Sequence, residues 1–224
     1  MVDRCEIKEM VKEKMIKGLI FDMDGTIADT EHIHFLAWEQ TLRERGVNSF
    51  TFEAFVSYVG VSNEALAHDY IVSHKLKESI EVLCNRKQRI YLDLIPQVQL
   101  LPGVEQIVRK YSERCQLGVA SSSDCIELEL ILQNAGLRNY FEVIVGGDMV
   151  QNKKPDPEIY LQAARRLGLQ PQECCAFEDS EAGVQAASRA GLFVVAVPHS
   201  LTLQHDFGHA DLIFDSMDQV ILPT

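Results

Sequence analysis

Two aspartates separated by one residue stand directly after the apolar run at residues 17–21. Asp22 and Asp24 belong to the string Asp22-Met23-Asp24-Gly25-Thr26, in which the glycine allows a sharp turn. Alternate residues at a strand end point to the same side, so the two carboxylates repel each other unless a cation bridges them or one keeps a proton. A capped turn is the structural alternative. A calcium loop fits poorly, because its glycine belongs at the sixth position, where Ile27 stands.

A second acidic pair, Glu178-Asp179, follows the apolar run at residues 174–177. By itself this pair has an ordinary explanation, since Ser180 can cap the next helix and acidic residues stabilise helix N-termini. Together with the first pair at the same edge of a sheet, it favours an oxygen-ligand magnesium site. The predicted metal ligands are Asp22, Asp24, Glu178 and Asp179.

Hydroxyl and ammonium groups follow two further apolar runs. Ser121-Ser122-Ser123 follows residues 116–120, and Lys154 comes shortly after residues 143–145. Most serines after strands cap or turn the chain, and a lysine just before a helix is usually solvated. Near a magnesium ion, a serine hydroxyl can instead donate to a phosphoryl oxygen, and a lysine can orient a nucleophile and offset phosphate charge. The predicted phosphate-binding residues are Ser121, Ser122 and Lys154.

The elements that must position these residues alternate along the chain. The predicted strands are residues 17–21, 116–120, 143–145, 174–177, 193–197 and 212–214. The predicted helices are residues 104–111, 127–135, 157–167 and 181–190, with Asp156 as N-cap of the third and Gly136 and Gly191 as stop signals. This alternation predicts an α/β fold with a Rossmann-like parallel sheet, whose carboxyl edge collects the four polar clusters.

Residues 30–98 interrupt the alternation, because they show helical periodicity without a buried strand. The residues on helical spacing are Trp38, Thr41, Leu42 and Arg45, and then Leu83, Lys87, Ile90 and Tyr91. About 70 residues are too many for one crossover connection, so we predict an inserted helical cap domain. The predicted core domain is residues 1–29 and 99–224, of which 1–15 form a leader. The cap segment has a net charge of −2 and the remainder −10, so the acidity lies on the core.

The composition excludes several classes of protein. The 224 residues include 33 Asp+Glu and 21 Lys+Arg, a net charge of −12, which argues against a broad nucleic-acid-binding face. No apolar run is long enough to span a membrane, and residues 1–15 lack the apolar centre of a signal peptide. The 6 cysteines show no metal-ligand spacing and indicate reduced thiols. We therefore expect a cytoplasmic protein, a monomer or weak oligomer, without nucleic-acid or membrane partners.

Four strings resemble, in order, the motifs of the haloacid dehalogenase-type phosphohydrolase superfamily. They are FDMDGT, VASSS, KKPDPEIY and FEDSEAG. The similarity is greatest to the subgroup of β-phosphoglucomutase and small sugar-phosphate phosphatases, and it covers nearly the whole chain after the leader. It implies a helical cap on the α/β core, Mg²⁺ as cofactor and a small phosphorylated metabolite as substrate. The dehalogenase branch lacks the second aspartate, so Asp24 argues against that branch.

The resemblance also implies a role for each core residue. Asp22 would attack phosphorus and form an aspartyl-phosphate, and Asp24 would protonate the leaving oxygen and then activate the acceptor. Magnesium would bind the Asp22 carboxylate, the Asp24 backbone carbonyl and Asp179, with Glu178 as a ligand or a neighbour of the ligands. The predicted phosphate-binding residues would hold the phosphoryl oxygens. Phosphoryl transfer depends mainly on positioning and charge neutralisation, which agrees with these roles.

The cap carries the residues expected to select the substrate. His34 and Trp38 are four apart and share a helix face, and Lys87 lies on a later helix. His34 matches a hinge histidine of β-phosphoglucomutase and Lys87 a substrate-contacting lysine; an ordinary packed histidine and a solvated lysine are the alternatives.

The loop Val59-Gly60-Val61-Ser62-Asn63 lacks two cations that the mutase carries at the matching positions. A mutase must hold a second phosphate while its intermediate reorients, and this hold requires cations. We therefore expect a phosphatase ahead of a phosphomutase. A non-catalytic binding module is the third alternative, and it is disfavoured because both aspartates are present.

Overall fold

The computed structural model describes residues 16–59 and 61–222. The interpretation of residues 1–15 as a leader lies outside these residues, as do Cys5 and Gly60. The described chain divides into two units, one of residues 16–28 and 99–222 and the other of residues 29–98. The smaller unit is thus inserted into the larger one along the chain.

The larger unit is built on a parallel sheet of six strands. In chain order the strands are β1 (Gly18–Phe21), β2 (Ala28–Asp29), β3 (Gln99–Leu100), β4 (Gln116–Ala120), β5 (Val143–Val145), β6 (Cys174–Glu178), β7 (Phe193–Ala196) and β8 (Leu212–Ile213). The short strands β2 and β3 lie outside this sheet, and the other six follow the order β5-β4-β1-β6-β7-β8. All neighbouring strands of the sheet are parallel. The predicted α/β fold is confirmed, and every predicted strand of the sheet is found within one residue at each end.

The register of the sheet brings three strand ends to one edge. The last residue of β1, Phe21, pairs with Val119 of β4 and with Phe177 of β6. The residues that follow along these strands, among them Asp22 and Glu178, therefore emerge side by side. The chain passes from β5 to β6 on the opposite side of β1, so the strand order reverses here. In open parallel sheets, ligands bind beyond the carboxyl ends of the strands at such a reversal.

Eight α-helices lie within the described residues. They are α1 (Glu31–Arg43), α2 (Phe52–Val56), α3 (Asn63–His74), α4 (Ile80–Leu94), α5 (Val104–Tyr111), α6 (Cys125–Asn134), α7 (Glu158–Arg166) and α8 (Glu181–Ala190). Short 3₁₀ turns occupy Ile95–Gln97, Arg138–Tyr140, Gly147–Met149, Pro171–Glu173 and Met217–Gln219. None of the helices in the described part of the chain has the length and apolar content needed to cross a membrane.

Helices α7 and α8 pack on the sheet through small and aromatic side chains. Tyr160 and Ala163 of α7 and Ala187 of α8 are fully buried in one apolar cluster with Ile20 and Ala176 of the strands. Alanines let the helix backbones approach the sheet closely, and the burial of the larger side chains contributes about 1.5–3 kcal/mol each. This packing fixes α7 and α8 against the strands whose ends carry the polar clusters.

Two predicted helix starts in the larger unit differ from the structure. Helix α6 begins at Cys125, because Asp124 is the extended N-cap residue. Helix α7 begins at Glu158 with Pro157 as N-cap, so the prediction of Asp156 as N-cap was wrong by one position. Asp156 still serves the helix start, since its Oδ1 atom accepts a hydrogen bond from the backbone N–H of Glu158 at 3.0 Å.

The smaller unit consists of helices α1 to α4. Hydroxyl groups of Thr51, Ser62 and Ser79 accept backbone N–H bonds at the starts of α2, α3 and α4. Its buried core contains Trp38, Leu42, Val47, Phe50, Phe55, Leu66, Ala67 and Leu83. The helical spacing of Trp38 and Leu83 thus marked the core face of this unit, whereas Arg45 lies beyond the end of α1.

Candidate active site

A buried lysine links the ends of β1 and β6. The Nζ atom of Lys154 lies 2.6 Å from Oδ1 of Asp22 and 2.6 Å from Oε1 of Glu178, and it donates to the carbonyl oxygen of Ala120 at 3.0 Å. The side-chain exposures of Lys154, Asp22 and Glu178 are 7%, 9% and 0%. Charges so far from water are weakly screened, so this ion pair holds the Asp22 carboxylate firmly in place.

Three carboxylates form a cluster at the same edge. One side-chain oxygen each of Asp22, Glu178 and Asp179 lies within 4.8 Å of the others, and all three residues are buried. Oxygen donors at this spacing suit a hard divalent cation, and Lys154 offsets only one of the three negative charges. The donor set therefore has the chemistry of a metal site. The Asp24 carboxylate is not part of the cluster, and the ligand predicted from Asp24 is its backbone carbonyl.

The Asp24 carboxylate is instead held by two serine hydroxyls. Its Oδ2 atom accepts hydrogen bonds from Oγ of Ser121 at 3.1 Å and from Oγ of Ser123 at 2.7 Å. The backbone N–H of Ser123 in turn donates to Oγ of Ser121 at 3.1 Å. Ser121 is buried, whereas Ser122 is exposed. Ser123 was not among the predicted residues, which included Ser121 and Ser122, because three identical side chains follow the same strand and spacing does not show which of them face Asp24.

Burial and charge act in opposite directions on the ion pair. Burial raises the pKa of Asp22 well above its usual value; Lys154 opposes this shift, and Glu178 and Asp179 add to it. For Lys154, burial acts to lower the pKa, but the charges of Asp22 and Glu178 outweigh burial and raise it. Lys154 therefore remains an ammonium ion, and a cation bound at the cluster would favour the carboxylate form of Asp22 in the same way as Lys154 does.

Tyr160 contacts the cluster from α7, a contact that sequence analysis missed. Its hydroxyl donates to Oε1 of Glu178, and Nζ of Lys154 lies 5.1 Å from the centre of its ring. Burial, followed by the charges of Glu178 and Asp22, raises the pKa of Tyr160 well above 10.0, which keeps the hydroxyl a donor. The residue stands in the KKPDPEIY string, so its position on the predicted helix was the available signal.

His199 was also missed. It lies in the loop after β7, and its Nε2 atom is 3.0 Å from Oδ2 of Asp179. A histidine three residues beyond a strand of the sheet lies at the edge where the other site residues gather, and this placement could have revealed it.

Gly25 permits the close approach of the Asp22–Asp24 turn to the acidic cluster. Its φ of +75° lies in the left-handed region that favours glycine. A Cβ atom at this position would lie 2.6 Å from Oδ2 of Asp179 and 2.7 Å from Nε2 of His199. Both the backbone conformation and the available space therefore require glycine here.

The three predicted cap residues lie within the smaller unit. Nζ of Lys87 is 2.8 Å from Nδ1 of His34, and the His34 ring stacks on Tyr91 with ring centres 4.2 Å apart. Lys87 is only 1% exposed, so the alternative of a solvated lysine does not apply. Trp38 is buried, and its Nε1–H donates to Oδ1 of Asn63 at 3.1 Å. His34 and Lys87 thus form one polar cluster, whereas Trp38 belongs to the apolar core of the unit.

Comparison with known proteins identifies the family. The family model described as haloacid dehalogenase-like hydrolase matches residues 19–197. The fructose-1-phosphate phosphatase YqaB of Escherichia coli is 35% identical over 80% of this chain and 95% of its own length. The β-phosphoglucomutase of Bacillus subtilis is 33% identical over 81% of this chain and 83% of its own.

A solved structure agrees with these relatives. CbbY of Rhodobacter sphaeroides, crystallised as a mutant with xylulose-1,5-bisphosphate, superposes with a TM-score of 0.82 at 29% identity, over 92% of this chain and 96% of that one. The chain therefore belongs to the haloacid dehalogenase-like hydrolase family. Within that family it is a hydrolase of the phosphatase type, with Asp at both positions of the first motif.

Proposed function

We propose that the chain is a magnesium-dependent phosphatase that hydrolyses a small phosphorylated sugar through an aspartyl-phosphate on Asp22. The observation that carries this proposal is the buried contact of Asp22 with Lys154 beside Glu178 and Asp179. A buried carboxylate that is oriented by an ammonium ion and flanked by metal-type ligands suits nucleophilic attack on phosphorus. Asp24, whose carboxylate contacts hydroxyl groups instead, suits proton transfer.

The chain's own residues account for both halves of the reaction. A carboxylate oxygen of Asp22 bonds to phosphorus as the bond from phosphorus to the sugar oxygen breaks, and protonated Asp24 gives its proton to that oxygen. Asp24, now a carboxylate, takes a proton from water, whose oxygen bonds to phosphorus as the bond to Asp22 breaks. The products are the sugar and inorganic phosphate, and both aspartates return to their starting states.

The phosphate is held by groups that surround the nucleophile. Lys154 would offset the charge of the phosphoryl oxygens, and the hydroxyl of Ser121, which donates to Asp24 in the structure, would turn to donate to one of them when substrate binds. A bound Mg²⁺, held by Asp22, Asp179, Glu178 and the backbone carbonyl of Asp24, would neutralise further charge on the transferred group. With Asp22, Glu178 and Asp179 as carboxylates and Lys154 as an ammonium ion, the site carries a charge of −2 without the metal ion, so an anionic substrate is repelled unless a cation is present.

Relatives support a phosphorylated sugar as the substrate class. The Escherichia coli relative acts on fructose 1-phosphate, and the Rhodobacter sphaeroides relative was crystallised with a sugar bisphosphate. A phosphomutase is the second candidate, because the Bacillus subtilis relative is a β-phosphoglucomutase. The loop residues Val59 and Asn63, which stand at the two cationic positions of the mutase loop, are not cationic, and Asn63 accepts a hydrogen bond from Trp38. This loop therefore favours hydrolysis, since it offers no charge for a second phosphate.

The test is phosphate release from a panel of sugar phosphates with Mg²⁺ present. We expect turnover of at least one member, loss of turnover on chelation and its recovery with Mg²⁺. The Asp22→Asn variant should be inactive, while the exposed Asp215→Asn variant serves as control. Isomerisation that outpaces phosphate release when a sugar bisphosphate is added would favour the mutase, and activity of Asp22→Asn would contradict the proposed nucleophile.

A further inference from the structure

His199 reaches the acidic cluster from a loop that supplies none of its carboxylates. We propose that His199 is a positioning residue whose Nε2–H holds the Asp179 carboxylate in the orientation that binds the metal. The proposal rests on the proposed function, because it takes Asp179 to be a metal ligand. The contact is short, 3.0 Å from Nε2 to Oδ2, and the side chains of His199 and Asp179 are only 23% and 7% exposed.

The hydrogen bonds of the ring decide which nitrogen donates. The backbone N–H of Leu201 donates to Nδ1 of His199 at 3.4 Å, so Nδ1 carries a lone pair. A neutral imidazole that accepts at Nδ1 has its proton on Nε2. Nε2 is therefore the donor to Asp179, and its N–H orients the carboxylate.

His199 is held in place from two sides. On one side, the backbone N–H of His199 donates to Oγ1 of the buried Thr202 at 3.1 Å, and the backbone N–H of Thr202 donates to the carbonyl oxygen of His199 at 2.9 Å. On the other side, a Cβ atom on Gly25 would lie 2.7 Å from Nε2, so the ring stands directly against the turn that carries the nucleophile. A donor fixed in this way can orient a carboxylate ligand, and loss of such outer hydrogen bonds typically weakens metal binding.

Two substitutions of His199 each keep one of the two hydrogen bonds of the ring and remove the other. In His199→Asn, the side-chain oxygen can take the place of Nδ1 and accept from Leu201, but no donor reaches Asp179. In His199→Gln, the side-chain amide nitrogen can take the place of Nε2 and donate to Asp179, while the acceptor for Leu201 is lost. The exposed His209→Asn variant is the matched control.

The measurement is binding of Mn²⁺, a probe for Mg²⁺ sites, to the full chain without substrate, with free Mn²⁺ followed by electron paramagnetic resonance. We expect His199→Asn to weaken binding about ten- to hundredfold, and His199→Gln and His209→Asn to stay close to the wild type. Phosphatase activity of His199→Asn should recover when Mn²⁺ or Mg²⁺ is raised, because the catalytic aspartates are intact.

Three results would overturn the proposal: wild-type affinity in His199→Asn, equal losses in both His199 variants, or a larger loss in His199→Gln. Circular dichroism and the melting temperature of each variant show whether it is folded, and His199→Gln tests the donor even where His199→Asn is unfolded. Failure of the proposed function gives a different result. In that case the wild type releases no phosphate from any substrate, whatever the affinities of the His199 variants.

Discussion

The Nζ atom of Lys154 lies 2.6 Å from Oδ1 of Asp22, at the point where β1 ends. The lysine comes from a loop 132 residues further along the chain, so only the folded sheet brings the two together. One contact thereby couples the stability of the larger unit to the position of the proposed nucleophile, Asp22. Changes on either side of this contact should affect both properties.

Replacing Lys154 should be costly for folding as well as for activity. In Lys154→Met, Asp22 and Glu178 lose the ammonium ion that stabilises them, and breaking a buried ion pair in this way costs about 3 kcal/mol. Urea unfolding measures this loss. The neighbouring Lys153 is exposed, so Lys153→Met should change the free energy of unfolding by less than about 0.5 kcal/mol. Equal stability of the two variants would show that the ion pair makes no net contribution.

The serine pair on Asp24 predicts an order of effects. Ser123 donates to Asp24 at 2.7 Å, and this hydrogen bond positions Asp24 and stabilises its carboxylate form in the second half of the reaction. A hydrogen bond to a charged group contributes about 1.5–3 kcal/mol, so Ser123→Ala should lower kcat by about tenfold or more. Ser122 is exposed, and Ser122→Ala should lower kcat less. Steady-state kinetics on an aryl phosphate compare the two variants. The reverse order would mean that Ser122 is the residue that acts on the reacting groups.

Gly25 offers a test of the space around the proposed metal site. Gly25→Ala places a Cβ atom against Asp179 and His199, and misplacement of reacting groups by about 1 Å can cost about a hundredfold in rate. Gly168→Ala is the matched control, because Gly168 also has positive φ, +72°, but open space around it. Both variants should lose about 1 kcal/mol of stability from backbone strain. Only Gly25→Ala should lose activity and Mn²⁺ binding, and equal kinetics in both would contradict the close approach.

The smaller unit contains a carboxylate whose titration can be followed directly. Hydrogen bonds from Arg86, at 2.8 and 2.6 Å, lower the pKa of Glu44 from 4.5 to about 2 against the opposing effect of burial. Because the pKa is lower in the folded state, the stabilisation is present above about pH 4.5 and is lost as the pH falls towards 2. The side chains of Arg86 and Glu44 are 38% and 35% exposed, so solvent screening keeps the contribution to stability small.

Nuclear magnetic resonance should therefore find a midpoint of about 2 for the Glu44 carboxyl in the native protein. Arg86→Gln should move this midpoint up towards 4.5, whereas the exposed Arg89→Gln should leave it in place. An unchanged midpoint in Arg86→Gln would mean that another group lowers the pKa.

The parts of the molecule that follow from periodicity were accessible from the sequence. The strand ends at Phe21 and Phe177 follow from short apolar runs, and parallel pairing then places Asp22 and Glu178 at one edge. The burial of Trp38 and Leu83 follows from helical spacing in the same way.

The rest depends on side-chain directions in irregular segments. The loop that holds His199 has no periodicity, and its contact with Asp179 exists only because β6 and β7 are neighbours. The turn after β4 brings Ser123 rather than Ser122 to Asp24, and this depends on hydrogen bonds within the turn, such as that from the backbone N–H of Ser123 to Oγ of Ser121. Spacing along the chain carries no information on either contact.

The central claim is that phosphate passes through a covalent bond to Asp22, and trapping that bond tests it most directly. An aryl phosphate has a leaving group that needs no proton. The Asp24→Asn variant should therefore still transfer the phosphoryl group to Asp22, but it should hydrolyse the resulting aspartyl-phosphate slowly. After rapid acid quench, mass spectrometry should find a phosphoryl group on the peptide that contains Asp22 in Asp24→Asn, and none in Asp22→Asn. Absence of protein-bound phosphate in Asp24→Asn, with wild type that turns over the same substrate, would contradict the mechanism.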